Sequence, residues 1–298
     1  MANNPNQIVA LSDSEKAAVV EKKVTCPFVG SLVAQGDLAV RNEANNPLAS
    51  VEDIRALGNS GGGDLGDLLA FFAEGNHALM RGADGKLNEP APANLFSLEF
   101  PGSQGSHPGH SGILQGNPEV LDSGRFSQPD FDRLLSHAQD GVIKRSDVGR
   151  FIAENLLRDP RSKVADLNTA ELLAGDVVNL IETAGSALAS KLFGSKKNDG
   201  ATHRNVEEKL TKIGGENNLV GSAGEFGLLF AFLANKPGAK KINGELALDV
   251  DDLKTMFVDK RLPSGWATWK KSRVDWVTNT TGLLVSAAKE YRRLKSSQ

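Results

Sequence analysis

Apolar residues recur along much of this chain at three- and four-residue spacing, the period of a helix with one buried stripe. From Pro27, the spacing of Phe28, Leu32 and Leu38 predicts a short helix. Ser50 opens Ser-Val-Glu-Asp-Ile-Arg-Ala-Leu, where a capping serine followed by Glu52 and Asp53 marks a second helix start. Gly61-Gly62-Gly63 breaks the chain, and Asp64 restarts it through Leu65, Leu68, Leu69 and Phe72. Further helices are predicted over 128–135, with Pro129 suited to the first position, and from a Ser146 cap through Val148, Phe151, Ile152 and Leu156. Asp159-Pro160 ends that one. Amphipathic or apolar spacing continues over 169–194, 220–233, 250–257 and 274–294. One alternating stretch, 241–250, turns at Asn243-Gly244 and predicts a short hairpin.

These elements describe a mainly α chain with one multi-helix domain over 26–298, preceded by an N-terminal arm at 1–25 whose last part has the makings of a short helix. Residues 82–125 break the pattern. Pro90, Pro92, Pro101, Pro108 and Pro118 stand among many Gly and Ser, so a long loop is expected, with Phe96, Leu98 and Phe100 anchoring it over a site. Residues 164–217 form an expected helical insertion, and 194–202 is its most polar connection.

Composition narrows the function classes. With 40% hydrophobic and 24% charged residues the chain can bury a core, and a net charge of −3 lacks the basic excess of a nucleic-acid protein. No apolar run approaches the roughly 18 residues of a membrane span. The first sixteen residues show neither a basic nor an apolar leader region. No signal peptide is therefore expected in this chain, which makes the protein intracellular, or secreted if a leader has been removed. A single cysteine excludes an internal disulfide and a multi-cysteine zinc site.

Several familiar sites fail on spacing. Asp140-Gly141-Val142-Ile143 has the second half of a calcium loop, but Ser136 and Ala138 would occupy positions that need oxygen-rich ligands, so a plain turn is expected. Of His77, His107, His110, His137 and His203, only His107 and His110 lie close together, with no further ligand nearby. The run from Gly61 to Gly66 lacks the lysine of a phosphate loop, and Gly221-Ser222-Ala223-Gly224 is not a nucleophile elbow. Cys26 is more informative. It directly precedes Pro27 at a predicted helix start, where free N–H groups and the helix dipole favour a thiolate. As a thiolate it can act as nucleophile or axial metal ligand; as a thiol it is a small buried hydrophobe.

The segment Cys26-Pro27-Phe28-Val29-Gly30-Ser31-Leu32-Val33-Ala34-Gln35-Gly36-Asp37-Leu38 resembles the opening motif of the heme-thiolate peroxidases, the family of chloroperoxidase and the fungal unspecific peroxygenases. Cys-Pro, Leu32, Gly36 and Leu38 match, while Thr25, Gly30 and Gln35 replace proline, asparagine and histidine. Further segments follow in the family's order: the helix from Ser50, Phe126 through Phe151, Ser222-Ala223-Gly224-Glu225, and Arg261-Leu262-Pro263-Ser264-Gly265-Trp266.

The resemblance implies a heme b cofactor held by Cys26 as axial iron ligand, with Pro27, Phe28 and Val29 lining the proximal side. It implies Glu225 as distal acid and base, hydrogen peroxide as oxidant, and a small apolar or aromatic substrate. It also implies a magnesium ion beside a heme propionate, although Pro108-Gly109-His110-Ser111-Gly112 offers no carboxylate where the family has one. Seven residues before Glu225, where members carry arginine or histidine, stands Asn218, and His110 is the candidate substitute partner on the distal or propionate side. The alternative keeps the scaffold as a non-catalytic helical binding protein, with Cys26 packed as an apolar residue, Glu225 balancing a helix terminus, and no heme.

Overall fold

The computed structural model describes residues 11–22, 26–43, 46–76, 79–98, 126–158 and 219–298. The described chain is mainly α, with three small antiparallel sheets. Its helices are α1 (Asp13–Lys22), α2 (Pro27–Gln35), α3 (Val51–Gly58), α4 (Gly66–Asn76), α5 (Gln128–Leu135), α6 (Arg145–Arg158), α7 (Leu219–Leu233), α8 (Val250–Phe257) and α9 (Arg273–Lys295).

Local chemistry accounts for most of the helix ends. Ser50 Oγ accepts the Asp53 N–H at the start of α3, and Ser127 Oγ accepts that of Asp130 at the start of α5. Gly36 closes α2 in the left-handed conformation, at φ 82°, which lets Asp37 N–H return to the Leu32 carbonyl. One expected cap is corrected. Ser146 lies inside α6, which begins at Arg145; the carboxylate of Asp147 takes the Lys144 N–H instead, while Ser146 donates to Glu245.

The long helix α9 lies along both α6 and α7, and small residues set the spacing. A Cβ on Gly149 would collide with Ser286, and one on Gly227 with Thr280. Leu32, Phe131, Phe151, Phe230, Leu253 and Leu283, drawn from six different helices, are all fully enclosed at 0% exposure in one continuous core. Each such side chain contributes on the order of 1.5–3 kcal/mol through burial.

The sheets brace this bundle. The expected hairpin forms from β7 (Lys240–Ile242) and β8 (Glu245–Asp249), with Asn243 at φ 54° and Gly244 at φ 80° making the turn. Its inner strand β8 also pairs with β6 (Val142–Lys144), placing Ile143 opposite Leu248. The sequence gives no hint of this third strand, because a three-residue pairing has no period to read.

The described part of the expected loop at 82–125 is more regular than its composition suggests. Strand β3 (Leu79–Arg81) pairs with β4 (Leu87–Pro90), and β5 (Leu95–Ser97) joins β2 (Asn46–Ser50) beside β1 (Val40–Glu43). Phe96 and Leu98 are buried, as anchors should be. The pairing that orders this stretch comes from backbone groups of β2, which local composition does not register. Phe100, residues 99–125 and the segment 164–217 lie outside the described residues.

Candidate functional site

Cys26 occupies the N-cap of α2, with φ −73° and ψ 118°. Pro27 explains this: it disfavours helical geometry in the residue before it and suits the first helical position itself. The Cys26 carbonyl accepts the Gly30 N–H at 2.8 Å, the first bond of the helix. Its side chain is half-buried against the core. Burial pushes the thiol pKa up, and the N–H groups of Val29 and Phe28 pull it partly back down. Those N–H groups face the sulfur without closing a cap hydrogen bond. The Glu225 carboxylate acts in the same direction as burial.

Helix α7 reaches α2 through a ring contact. Glu225 and Phe232 are separated by two helical turns and so share a face. Phe232 meets Phe28 edge-on at 5.0 Å between centroids, which packs this face of α7 on α2. Glu225 is the seventh residue of α7, whose first turn holds no acid. This corrects the expectation of a carboxylate at the helix start, since the helix dipole acts on the terminal turn.

The segment 261–266 closes the third side. Gly265, at φ 78°, turns the chain so that Trp266 is buried edge-on to Phe28, with centroids 6.3 Å apart. Leu262 N–H donates to Gln35 Oε1 at 2.9 Å, tying this segment to the end of α2. Trp269 then donates from Nε1 to the Phe232 carbonyl at 2.7 Å. Two segments of the resemblance, those of Cys26 and Trp266, thus meet each other and the Phe232 end of α7, the helix that also carries Glu225. Asn218 and His110 lie outside the described residues.

The donor set would suit a group held through one thiolate rather than a metal held by several side chains. It offers one sulfur with N–H groups turned towards it, and no cation is among the groups that shift its proton affinity. Among the described residues no group of three or more His, Cys, Asp or Glu could hold a metal ion. The magnesium site has no described residue to support it, because the loop at 108–112 is not among them.

Sequence reasoning missed Lys271. Its side chain is buried at 0% exposure behind Trp266 and Trp269. The signal was available in Trp266-Ala-Thr-Trp269-Lys-Lys, where basic residues follow closely on two aromatic ones.

Compared with protein-family models, with curated proteins and with solved structures, the chain finds no match in any of the three. Among the described residues, no helix is long and apolar enough to cross a membrane.

Proposed function

We propose that the protein is a heme-thiolate peroxidase or peroxygenase, in which Cys26 would hold heme b. Hydrogen peroxide is the oxidant and a small apolar or aromatic molecule the substrate. The observation that supports this reading is Cys26 at the N-cap of α2, where the Phe28 and Val29 N–H groups favour its negative charge, with α7, the helix of Glu225, packed on Phe28 through Phe232. Thiolate-ligated heme, when bound, supplies the iron at which the peroxide O–O bond is cleaved.

The chain's own residues have defined tasks in this reading. Cys26 ligates as thiolate, with the Phe28 and Val29 N–H groups favouring its negative charge and Pro27 fixing the backbone before the helix. Burial opposes that charge, so loading must release the thiol proton, and the bound iron provides the missing positive partner. Glu225 accepts a proton from one peroxide oxygen and returns it to the departing one, a task suited to a positioned carboxylate. Phe28, Phe232 and Trp266 pack into an aromatic cluster beside the start of α2.

The test is optical. Purified protein supplied with heme should turn red-brown and give the red-shifted ferrous carbonyl band of thiolate ligation, and Cys26→Ala should lose that band. Protein that stays colourless after heme is supplied overturns the reading. That outcome would favour the second one, a helical binding protein, to which the half-buried sulfur among apolar neighbours also lends itself.

A further inference from the structure

Lys271 stands outside the proposed chemistry, yet its surroundings are built around its charge. Its Nζ donates to the Ser60 carbonyl at 3.1 Å, to Ser60 Oγ at 2.8 Å and to the Trp269 carbonyl at 3.0 Å. These use all three donors of an ammonium group. The same nitrogen lies 5.1 Å from the Trp266 ring, 5.8 Å from Phe232 and 6.0 Å from Trp269, within cation–π range of each.

The glycine run explains how this cage closes. A Cβ on Gly61 would strike the Trp269 carbonyl, and one on Gly63 would strike the backbone of Lys271. The break at 61–63 is therefore the seat on which the segment 268–271 lies, and the Lys271 ammonium fastens the two together through Ser60. Asp64 N–H donates to the Lys271 carbonyl at 2.9 Å, locking the same crossing from the other side. The fastened segment carries Trp269, which stands against Phe232, and follows directly on Trp266, which stands against both Phe28 and Phe232.

We propose that Lys271 is a positioning residue for the thiolate site, its ammonium holding the Trp266–Trp269 wall against Phe28 and so sheltering the Cys26 sulfur. The inference rests on Cys26 being the functional atom of the site. Burial lowers the Lys271 pKa to about 8. The charged groups on the elements around it do not contribute to that shift. Asp64 is engaged with Arg273, Asp275 with Asn235, and Glu225, Lys236 and Lys270 make no bond to Nζ.

Two readouts on heme-free protein test this. Trp266 and Trp269 are two of the chain's three tryptophans, and Trp276 bonds elsewhere, to the Gly224 carbonyl. Intrinsic emission should titrate with a midpoint near 8 in the wild type and be flat in Lys271→Met. Cys26 is the only cysteine, so iodoacetamide reports on it alone. At pH 7.5 its alkylation should be about tenfold faster in Lys271→Met, because the sulfur loses its cover, and slow again in Lys271→Arg. Equal rates in wild type and Lys271→Met, or a wild-type emission that does not titrate, overturn the proposal.

Should Lys271→Met fail to fold, Ser60→Ala serves, since it removes one acceptor of the ammonium. The emission midpoint should then fall below the wild-type value, and an unmoved midpoint counts against the cage. Neither measurement involves heme. A Cys26→Ala protein that keeps its heme spectrum would sink the ligand assignment while leaving the Lys271 titration standing.

Discussion

At the scale of single residues, Cys26 and Glu225 carry opposite requirements. A ligand sulfur needs its thiolate, whereas burial and the nearby carboxylate both favour the thiol. Heme-free protein should therefore react slowly with iodoacetamide at pH 8, below the rate of an exposed cysteine with its pKa of about 8.5. The rate should climb as the solution is taken past pH 9, because the folded pKa is raised and the thiolate appears only above it. Rapid alkylation at pH 7, followed by mass spectrometry, would contradict this. In heme-loaded protein, Glu225→Gln keeps the size of the side chain and removes its ability to accept a proton. Peroxide turnover should fall by about 100-fold or more with the heme spectrum unchanged. Turnover that survives the substitution would remove Glu225 from the chemistry.

Among elements, the pairing of α7 with α9 is the tightest contact that positions the site. One face of α7 offers the Gly224 carbonyl to Trp276 and lays Gly227 against Thr280, while another carries Glu225 and Phe232 towards α2. Thr280 Oγ1 is a buried side-chain oxygen with no hydrogen-bond partner among the described residues. Gly227→Ala should destabilise the protein by about 2–3 kcal/mol, since the new methyl group has to push the helices apart. Removing the obstructing group with Thr280→Ala should cost little alone, because the lost hydroxyl made no bond. The double variant should then recover much of the loss, which urea unfolding of all four proteins would show as a coupling of about 1 kcal/mol or more. Strict additivity would mean that the two helices meet elsewhere.

For the molecule as a whole, one buried charge cluster joins α5 to α6. Asp130, at 1% exposure, accepts from Ser127 Oγ at 2.8 Å, Arg133 at 2.6 Å and Arg158 at 2.8 Å. Asn155 Oδ1 receives both arginines as well. Asp130→Asn leaves two guanidinium groups facing each other without their shared anion. The cost should be about 2–3 kcal/mol, less than for a wholly buried pair because both arginines reach solvent. A urea midpoint equal to that of the wild type would show that the cluster adds nothing to the fold.

Much of this architecture was legible in the residues, and the physical reason is locality. The starts of α3 and α5, the turn at Asn243-Gly244 and the placing of Cys26 before Pro27 are each decided within about four residues, by caps, positive φ or a fixed proline ring. Helical period likewise needs only its own stretch of chain. The strands β5 and β6 were hidden because each is three residues long and takes its hydrogen bonds from a distant partner. The same holds for the site. Sequence singled out Cys26 by its place before Pro27 and Glu225 through the resemblance, and Glu225 and Phe232 stand seven residues apart. That α2 and α7 should face each other, that Gly61 and Gly63 should seat the segment carrying Lys271, and that three rings should gather around its ammonium were decided by tertiary packing alone. Those contacts join positions up to some two hundred residues apart, and a close fit between distant surfaces leaves no periodic trace in the chain that makes it.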